Sequence, residues 1–175
     1  MYKILRDEVL TDNIFLMEIE APRVAKTCLP GQFVIVRSDA DAERIPLTIC
    51  DYSREKGTVT IVFQIVGAGS LMLSKLKAGD SVHDFVGPLG KPSELTEMPE
   101  DELKQKKILF VAGGVGTAPV YPQVKWLKEH GVDADVIVGS KTKSLLIMED
   151  MMKEVAGGLY ITTDDGSYGD HGMVT

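Results

Sequence analysis

The chain has 175 residues, of which 44% are hydrophobic, enough to bury one good core or two small ones. Its formal net charge of −7 argues against a general nucleic-acid binder, because such proteins present a basic face to the phosphate backbone. The sequence has neither an apolar run long enough to span a bilayer nor the apolar core of a signal peptide. We therefore expect a cytoplasmic protein that contacts neither nucleic acid nor a membrane.

From Tyr2 to about Gly90 the sequence predicts short strands separated by turns, a pattern typical of a small antiparallel barrel. The clearest strand candidates are Asn13–Glu20, Gln32–Arg37, Thr58–Val66 and Ser81–Val86. A helical segment, Ser70–Lys77, interrupts this series, and Ser70 is predicted to be its N-cap because it follows Gly67 and Gly69. A glycine-rich helix start of this kind is a candidate phosphate site.

After a linker that contains Pro92 and Pro99, strands and helices alternate, which is the pattern of a parallel, doubly wound sheet. The predicted elements are strand 108–112, helix 118–130, strand 134–139, helix 144–155 and strand 158–163. We place the domain boundary near residue 100. Since the chain ends after three predicted strands, we expect the second domain to be incomplete.

The stretch KILFVAGGVGTAPVYP (107–122) carries the strongest local signal for a ligand. Residues 108–112 are almost wholly apolar, as in a strand covered on both faces, and Gly113, Gly114 and Gly116 follow before a helix. Residues without Cβ let the backbone approach a ligand, and a helix N-terminus supplies N–H groups and partial positive charge. The pattern predicts a phosphate or pyrophosphate site, with a tight strand-to-helix turn as the alternative.

These features together resemble the ferredoxin–NADP reductase superfamily. The matching segments run through the chain in the family's order: PGQFVIVR (30–37), ERIPLTI (43–49), VFQIVGAGS (62–70), LKAGD (76–80), VGPLGKP (86–92), AGGVGTAP (112–119) and TTDDGSYGDHG (162–172). Within the superfamily the chain is most similar to the electron-transfer subunits that accompany dihydroorotate dehydrogenase B and to the alpha subunit of the bifurcating NADH-dependent ferredoxin:NADP oxidoreductase. The resemblance implies a Greek-key-like FAD-binding β-barrel over residues 1–100. A partial α/β doubly wound pyridine-nucleotide domain would follow over 101–175.

The resemblance places part of an FAD site at Arg44, Pro46, Leu47 and Thr48, which match the family's R-x-(Y/P)-x-(S/T) motif. A guanidinium such as that of Arg44 can pair with the FAD pyrophosphate in a bidentate way, and the Thr48 hydroxyl can bond the flavin near N5. Family members often carry Tyr where Pro46 stands, so a ring stacked on the flavin is lost here. The alternative for Arg44 is a solvated side chain before a strand.

Further FAD contacts are implied at Val62, Phe63 and Gln64, which would lie along the isoalloxazine and ribityl chain through their backbone; plain barrel core is the alternative. Gly69 and Ser70 match the family's G-(T/S) helix start, whose N–H groups and hydroxyl would hold the FAD pyrophosphate. Two separate phosphate-binding features with one shared ligand favour FAD over FMN.

In the second half, the resemblance implies that Gly113, Gly114, Gly116 and Thr117 hold the pyrophosphate of a nicotinamide dinucleotide. Asp164, Asp165 and Gly166 follow the third predicted parallel strand, at the carboxyl edge where such sheets bind ligands; a solvated turn is the alternative.

The choice between NAD and NADP rests on the residues after the second strand, where Ser140, Lys141 and Lys143 replace the usual acidic residue. Lysines there would accept a 2′-phosphate or belong to a solvated loop. Because the most similar subfamily uses NADH, we expect NAD(H) rather than NADP(H).

The implied function is that of an oxidoreductase subunit that moves a hydride between NAD(P)H and FAD. Electrons would then pass to a [2Fe–2S] cluster, to a second redox subunit in a heterodimer and, through that subunit, to ferredoxin. No catalytic acid, base or nucleophile is assigned. A non-catalytic flavin- or nucleotide-binding or docking module of a larger redox complex is the alternative. A lone siderophore- or oxygen-type reductase is a third, against which the PLT and TDDGS details argue.

The family ligates its cluster with four cysteines beyond the nucleotide domain, whereas this chain has only Cys28 and Cys50. Both are expected to be buried free thiols in a reducing compartment. His83, His130 and His171 are scattered, and no metal ligand is assigned.

Overall fold

The computed structural model describes residues 1–174, which divide into two compact units, Met1–Ser93 and one that begins at Glu94. Strands of the first unit are β1 (Tyr2–Thr11), β2 (Ile14–Glu20), β3 (Phe33–Arg37), β4 (Ile45–Ser53), β5 (Thr58–Gln64), β6 (Ser81–Val82) and β7 (Asp84–Leu89). They pair antiparallel in the order β6-β1-β2-β5-β4-β3-β7. The antiparallel barrel predicted from the sequence is thus confirmed.

The barrel closes through the chain itself, because β6 and β7 lie at opposite ends of the sheet and are separated by His83 alone. The His83 backbone N–H donates to the Arg37 carbonyl at 2.9 Å, at the bend. The prediction of one strand over Ser81–Val86 was therefore wrong: the chain turns at His83, and its two halves pair with β1 and β3.

The barrel interior is filled by apolar side chains that alternate along the strands, as a sheet with one face buried requires. Fully buried examples are Ile4, Ile19, Val34, Val36, Ile49 and Ile61. Cys28 and Cys50 are both buried free thiols, as predicted, and burial raises the pKa of Cys28 to about 11.

Two short helices flank the barrel strands, α1 (Pro22–Thr27) and α2 (Ala68–Ser74). Arg54 anchors the end of α1, since its guanidinium donates to the carbonyls of Ala25 at 3.2 Å and Cys28 at 3.1 Å and also to that of Lys26. The same guanidinium lies 5.1 Å from the centre of the Tyr52 ring. One arginine therefore satisfies several carbonyls that a helix C-terminus leaves unpaired.

The N-cap of α2 is Gly67, so the prediction of Ser70 as N-cap was wrong. Ser70 lies inside the first turn, and its hydroxyl reaches back to accept the N–H groups of Val66 at 2.9 Å and Gly67 at 3.1 Å. The helix also ends at Ser74, before the predicted limit at Lys77. A serine three residues into the helix caps it from inside, a role that sequence position alone does not distinguish from the N-cap.

The second unit contains four parallel strands: β8 (Ile108–Gly113), β9 (Ala134–Ser140), β10 (Gly158–Thr163) and the short β11 (Asp170–His171). Their order is β11-β10-β9-β8. Its helices are α3 (Glu100–Leu103), α4 (Thr117–Glu129) and α5 (Glu149–Val155). The predicted parallel sheet is confirmed, and β11 adds a fourth strand to the three that we predicted.

Helix α5 is shorter than the predicted helix 144–155, which was wrong in its first half. A 3-10 turn, Lys143–Leu145, comes first, and Met148 then adopts φ +59. A left-handed residue cannot continue a right-handed helix, so α5 begins only at Glu149.

Helices α4 and α5 contact each other and pack on the sheet, burying Ala112, Val136 and Val138 on one face. On the other face of β8, Leu109 is 56% and Val111 49% exposed. The prediction that this strand is covered on both faces is therefore wrong for residues 1–174. In that same range, no helix has the length and apolar character needed to cross a bilayer.

Candidate functional site

Arg44 lies directly before β4 and is the most exposed member of a charged cluster on the barrel. Its Nη2 donates to Asp84 Oδ2 at 3.2 Å, and Arg37 Nε lies 2.8 Å from the same oxygen. The other carboxylate oxygen lies 3.0 Å from His83 Nδ1. Hydrogen bonding to His83, and then to Arg37, lowers the pKa of Asp84, which is therefore a carboxylate near neutral pH.

Sequence reasoning found Arg44 but missed Asp84, Arg37 and His83. Forty positions separate Arg44 from Asp84, and no local motif joins them. They meet because the bend at His83 brings the first residue of β7 beside the end of β3.

The other motif residues continue along β4, where side chains alternate between the two faces of the sheet. Leu47 packs against the barrel core, so Pro46 and Thr48 share the opposite face. Pro46 is exposed and Thr48 half-buried. The structure therefore presents Pro46 and Thr48 together, on the strand that Arg44 introduces.

The start of α2 packs against the segment around Arg44. A Cβ added at Gly69 would lie 2.9 Å from Glu43 Oε2 and 3.3 Å from Ile45 Cγ2, so only glycine fits there without displacing a neighbour. Glu43 and Ile45 are the residues on either side of Arg44. The fold thus brings the two predicted pyrophosphate-binding features of the barrel next to each other.

The Ser70 hydroxyl does not have the proton that the predicted pyrophosphate contact needs. It donates that proton to the Gly67 carbonyl at 3.0 Å while accepting two backbone N–H groups. A serine hydroxyl has a single proton to donate. Any phosphate bound here would therefore contact the backbone of α2 and not this side chain.

Val62 and Phe63 are buried in β5, and Gln64 is half-buried. The Phe63 ring stacks with Phe15 at a centroid distance of 5.8 Å inside the barrel. The Phe63 side chain belongs to the barrel core, whereas Val62 and Gln64 alternate to the opposite face of the strand. At Phe63 only the backbone is left for the predicted flavin contacts.

In the second unit, β8 leads through a 3-10 turn, Gly114–Gly116, into α4. Gly114 has φ +54, a conformation that favours glycine, whereas Gly116 has an ordinary helical φ of −63. A Cβ at either position would meet no atom of the described residues within 4 Å. Neither packing nor backbone conformation therefore explains the glycine at position 116, which favours a ligand over a tight turn alone.

Thr117, the first residue of α4, is completely buried, and its Oγ1 has no hydrogen-bond partner among residues 1–174. A buried hydroxyl without a partner is unusual in a folded protein. It lies at the N-terminus of a 13-residue helix, where unpaired backbone N–H groups and the helix dipole favour an anion. Pro119 removes one N–H from that first turn.

The segment after β10 forms a compact turn in which Gly166 adopts φ +69. Asp165 Oδ1 accepts from the backbone N–H of Ser167 at 3.0 Å and from its hydroxyl at 2.6 Å, and these bonds lower the pKa of Asp165. The Ser167 hydroxyl also accepts the Lys143 N–H at 2.9 Å. Asp165 is thus engaged inside the turn, while Asp164 remains exposed beside it.

Lys143, one of the lysines that follow β9, is turned toward Tyr168, with its Nζ 4.6 Å from the ring centre. Among residues 1–174, no group of three or more histidine, cysteine or acidic side chains is placed to hold a metal ion. A [2Fe–2S] cluster needs four ligands, and residues 1–174 supply only the two cysteines Cys28 and Cys50, so these residues do not fit one.

Comparison with known proteins gives no match to any family model. The chain is 62% identical over 168 residues to an uncharacterized protein in the adh 3′ region of Clostridium beijerinckii, covering 96% of this chain and 57% of that protein. It is 41% identical over 173 residues to a dihydroorotate dehydrogenase B (NAD(+)) electron transfer subunit homolog of Thermotoga maritima, covering 99% of this chain and 58% of the relative.

Among solved structures, the chain is similar to NADH-dependent reduced ferredoxin-NADP oxidoreductase, with a TM-score of 0.87 and 37% identity. That match covers 99% of this chain and 59% of the other. This chain therefore spans between 57% and 59% of the length of these three proteins. A ferredoxin-NADP+ reductase from Plasmodium falciparum shares the fold at a TM-score of 0.74 and 14% identity. The chain belongs to the ferredoxin–NADP reductase-like family.

Proposed function

We propose that this chain is the flavin- and nucleotide-binding part of an oxidoreductase that transfers electrons from NAD(P)H through FAD. The observation that carries the proposal is the packing of Gly69 against Glu43 and Ile45. It brings the backbone of α2 next to the segment that holds the exposed Arg44 guanidinium. A backbone helix start and a guanidinium are both suited to a pyrophosphate.

The second ligand is proposed to be a nicotinamide dinucleotide at Gly113, Gly114, Gly116 and Thr117. Support comes from Gly116, whose missing side chain has no other explanation, and from the unpartnered Thr117 hydroxyl. We favour NAD(H) over NADP(H), since the name of the Thermotoga relative refers to NAD+ alone, whereas that of the similar structure refers to both NADH and NADP. The contact between Lys143 and the Tyr168 ring also favours NAD(H), because it engages one of the two lysines that would bind a 2′-phosphate.

The bound cofactors supply hydride transfer between nicotinamide C4 and flavin N5. The work of the chain is to bind and orient them. Arg44 would donate to the FAD pyrophosphate, the Thr48 hydroxyl would donate to the flavin, and the backbone around Gly116 would contact the dinucleotide phosphates. No side chain needs to act as acid, base or nucleophile, so none is assigned.

We further propose that electrons leave through an iron–sulfur centre to a second redox subunit and, through it, to ferredoxin. This rests on the name of the relative as an electron transfer subunit and on that of the similar structure as a ferredoxin-NADP oxidoreductase. Because residues 1–174 do not fit a cluster, we assign no cluster ligand to them.

The test is a visible absorption spectrum of the purified chain, with and without added FAD, followed by anaerobic addition of NADH. A two-banded flavin spectrum that NADH bleaches supports both sites. Arg44→Gln is expected to weaken FAD binding about tenfold or more, because a charge-assisted hydrogen bond contributes about 1.5–3 kcal/mol. Arg23→Gln, an exposed arginine on α1, is the matched control.

Two outcomes would contradict the proposal. A chain that takes up no FAD removes the flavin site. A chain that binds FAD but is not reduced by NADH points instead to a non-catalytic flavin-binding module.

A further inference from the structure

We propose that Asp84 is a positioning residue for the flavin site: it holds the Arg44 guanidinium in place before the pyrophosphate binds. The inference rests on the proposed function, since it assigns a role to a residue that does not itself contact FAD. No sequence motif contains Asp84, and only the fold connects it with Arg44.

The carboxylate of Asp84 divides its two oxygens between different partners. Oδ1 lies 3.0 Å from His83 Nδ1, while Oδ2 accepts from Arg44 Nη2 at 3.2 Å and forms an ion pair with Arg37, whose Nε lies 2.8 Å away. A carboxylate oxygen that lies between two guanidinium groups fixes the position of one relative to the other. The Asp84 side chain is 22% exposed, and its partner Arg37 is only 17% exposed. Asp84 is therefore held in place by the more buried of its two arginine partners.

Arg37 also ties down the loop that precedes Arg44, because its Nη1 donates to the Ala40 carbonyl at 2.8 Å. Asp84 and Arg37 therefore form a rigid base at the junction of β3 and β7. Arg44 rests on that base through a single guanidinium nitrogen, which leaves its remaining N–H groups for a ligand.

A free arginine side chain loses much rotamer freedom when a ligand immobilises it, and this loss weakens binding. Arg44 is 61% exposed, so its contact with Asp84 is what restricts it before binding. Asp84 does not cancel the attraction for phosphate: the two guanidinium groups and one carboxylate leave one net positive charge. The Glu43 carboxylate beside Gly69 offsets that residual charge, so pre-ordering of Arg44 is the contribution assigned to Asp84.

The test is a double-mutant cycle on the full chain, with FAD affinity measured by flavin fluorescence. Asp84→Asn is expected to raise the Kd for FAD about 2- to 10-fold, the effect of mobilising one long side chain. In an Arg44→Gln background, Asp84→Asn is expected to change the Kd by less than about 2-fold, because the residue through which it acts is gone. Thermal unfolding of each variant is recorded in parallel.

The possible results are distinguishable. Equal loss of affinity in both backgrounds, or unchanged or tighter binding by Asp84→Asn, overturns the positioning role while leaving the flavin site intact. If Arg44→Gln itself leaves FAD affinity unchanged, or the unaltered chain binds no FAD, the proposed site fails and the role of Asp84 with it. Should Asp84→Asn not fold, Asp84→Glu takes its place: it keeps both charge partners, moves the carboxylate by one methylene, and is expected to weaken binding only while Arg44 is present.

Discussion

Gly116→Ala separates the structural from the ligand-binding reason for a glycine at the start of α4. The residue has φ −63 and ψ −13, which alanine adopts readily, and a Cβ there would meet no described atom within 4 Å. The folded chain should therefore tolerate the methyl group. Because alanine restricts the unfolded chain more than glycine does, we expect the free energy of unfolding to rise by about 0.4–1 kcal/mol.

The same methyl group lies where we propose that the backbone approaches the dinucleotide pyrophosphate. Loss of one charge-assisted hydrogen bond costs about 1.5–3 kcal/mol, so we expect the Kd for NADH to rise at least about tenfold. The variant should thus be more stable and bind more weakly. A purely structural glycine would not separate the two quantities in this way.

The assay pairs urea unfolding with an NADH titration followed by nicotinamide fluorescence. Gly131→Ala, just beyond the other end of α4, is the control. Gly131 has φ +73, so alanine there should cost about 1–2 kcal/mol of stability and leave NADH affinity unchanged. Wild-type NADH affinity in Gly116→Ala would refute the close approach of the backbone, and a loss of stability would refute our account of its conformation.

Three predictions concern stability. Arg54→Ala removes the donors to the carbonyls at the end of α1 and should cost about 1–2 kcal/mol in urea unfolding. Gly169 has φ +67, and a Cβ there would lie 2.2 Å from the Ile161 carbonyl oxygen. Gly169→Ala should therefore lower the free energy of unfolding by about 2 kcal/mol or more. A hydrogen bond from Lys153 lowers the pKa of Glu149 below 4.5. The stabilisation of the folded chain by ionised Glu149 is therefore complete above pH 4.5 and is lost as the pH falls toward the folded-state pKa of Glu149. This loss should be absent from the acid unfolding curve of Glu149→Gln.

Each of these predictions has a matched control. Arg54→Lys keeps the charge but not the planar fork whose two nitrogens reach different carbonyls, so it should restore little stability if the carbonyl bonds matter. Gly79→Ala shares the positive φ, at +98, but meets no described atom within 4 Å, so its smaller cost isolates the clash at Gly169. Glu102→Gln alters another i,i+4 pair with a more exposed carboxylate and should change the acid unfolding curve less. An equal effect of control and test variant would contradict the corresponding explanation.

The order of strands and helices could be predicted from the sequence, because hydrophobic spacing and glycine positions are local properties. Partial alternation of apolar residues identified β2, a β-branched apolar run identified β3, and the glycines at 113, 114 and 116 located the start of α4. The same local reasoning failed where one residue changes the conformation: Met148 adopts a left-handed φ, so the helix predicted to begin at residue 144 begins only at Glu149. Ser70 caps its helix from the third helical position, which the sequence does not distinguish from the N-cap position.

Contacts between segments distant in the chain could not be predicted from the sequence. The sequence places Arg44 in a flavin-type motif by resemblance, whereas only the fold shows that Asp84 contacts Arg44 and that Gly69 lies against the neighbours of Arg44. The fold also shows that the Ser70 hydroxyl donates its proton to the Gly67 carbonyl and that, among residues 1–174, the Thr117 hydroxyl has no hydrogen-bond partner. The physical reason is that periodicity encodes which face of an element is buried, whereas the identity of its neighbours depends on how the barrel closes at His83.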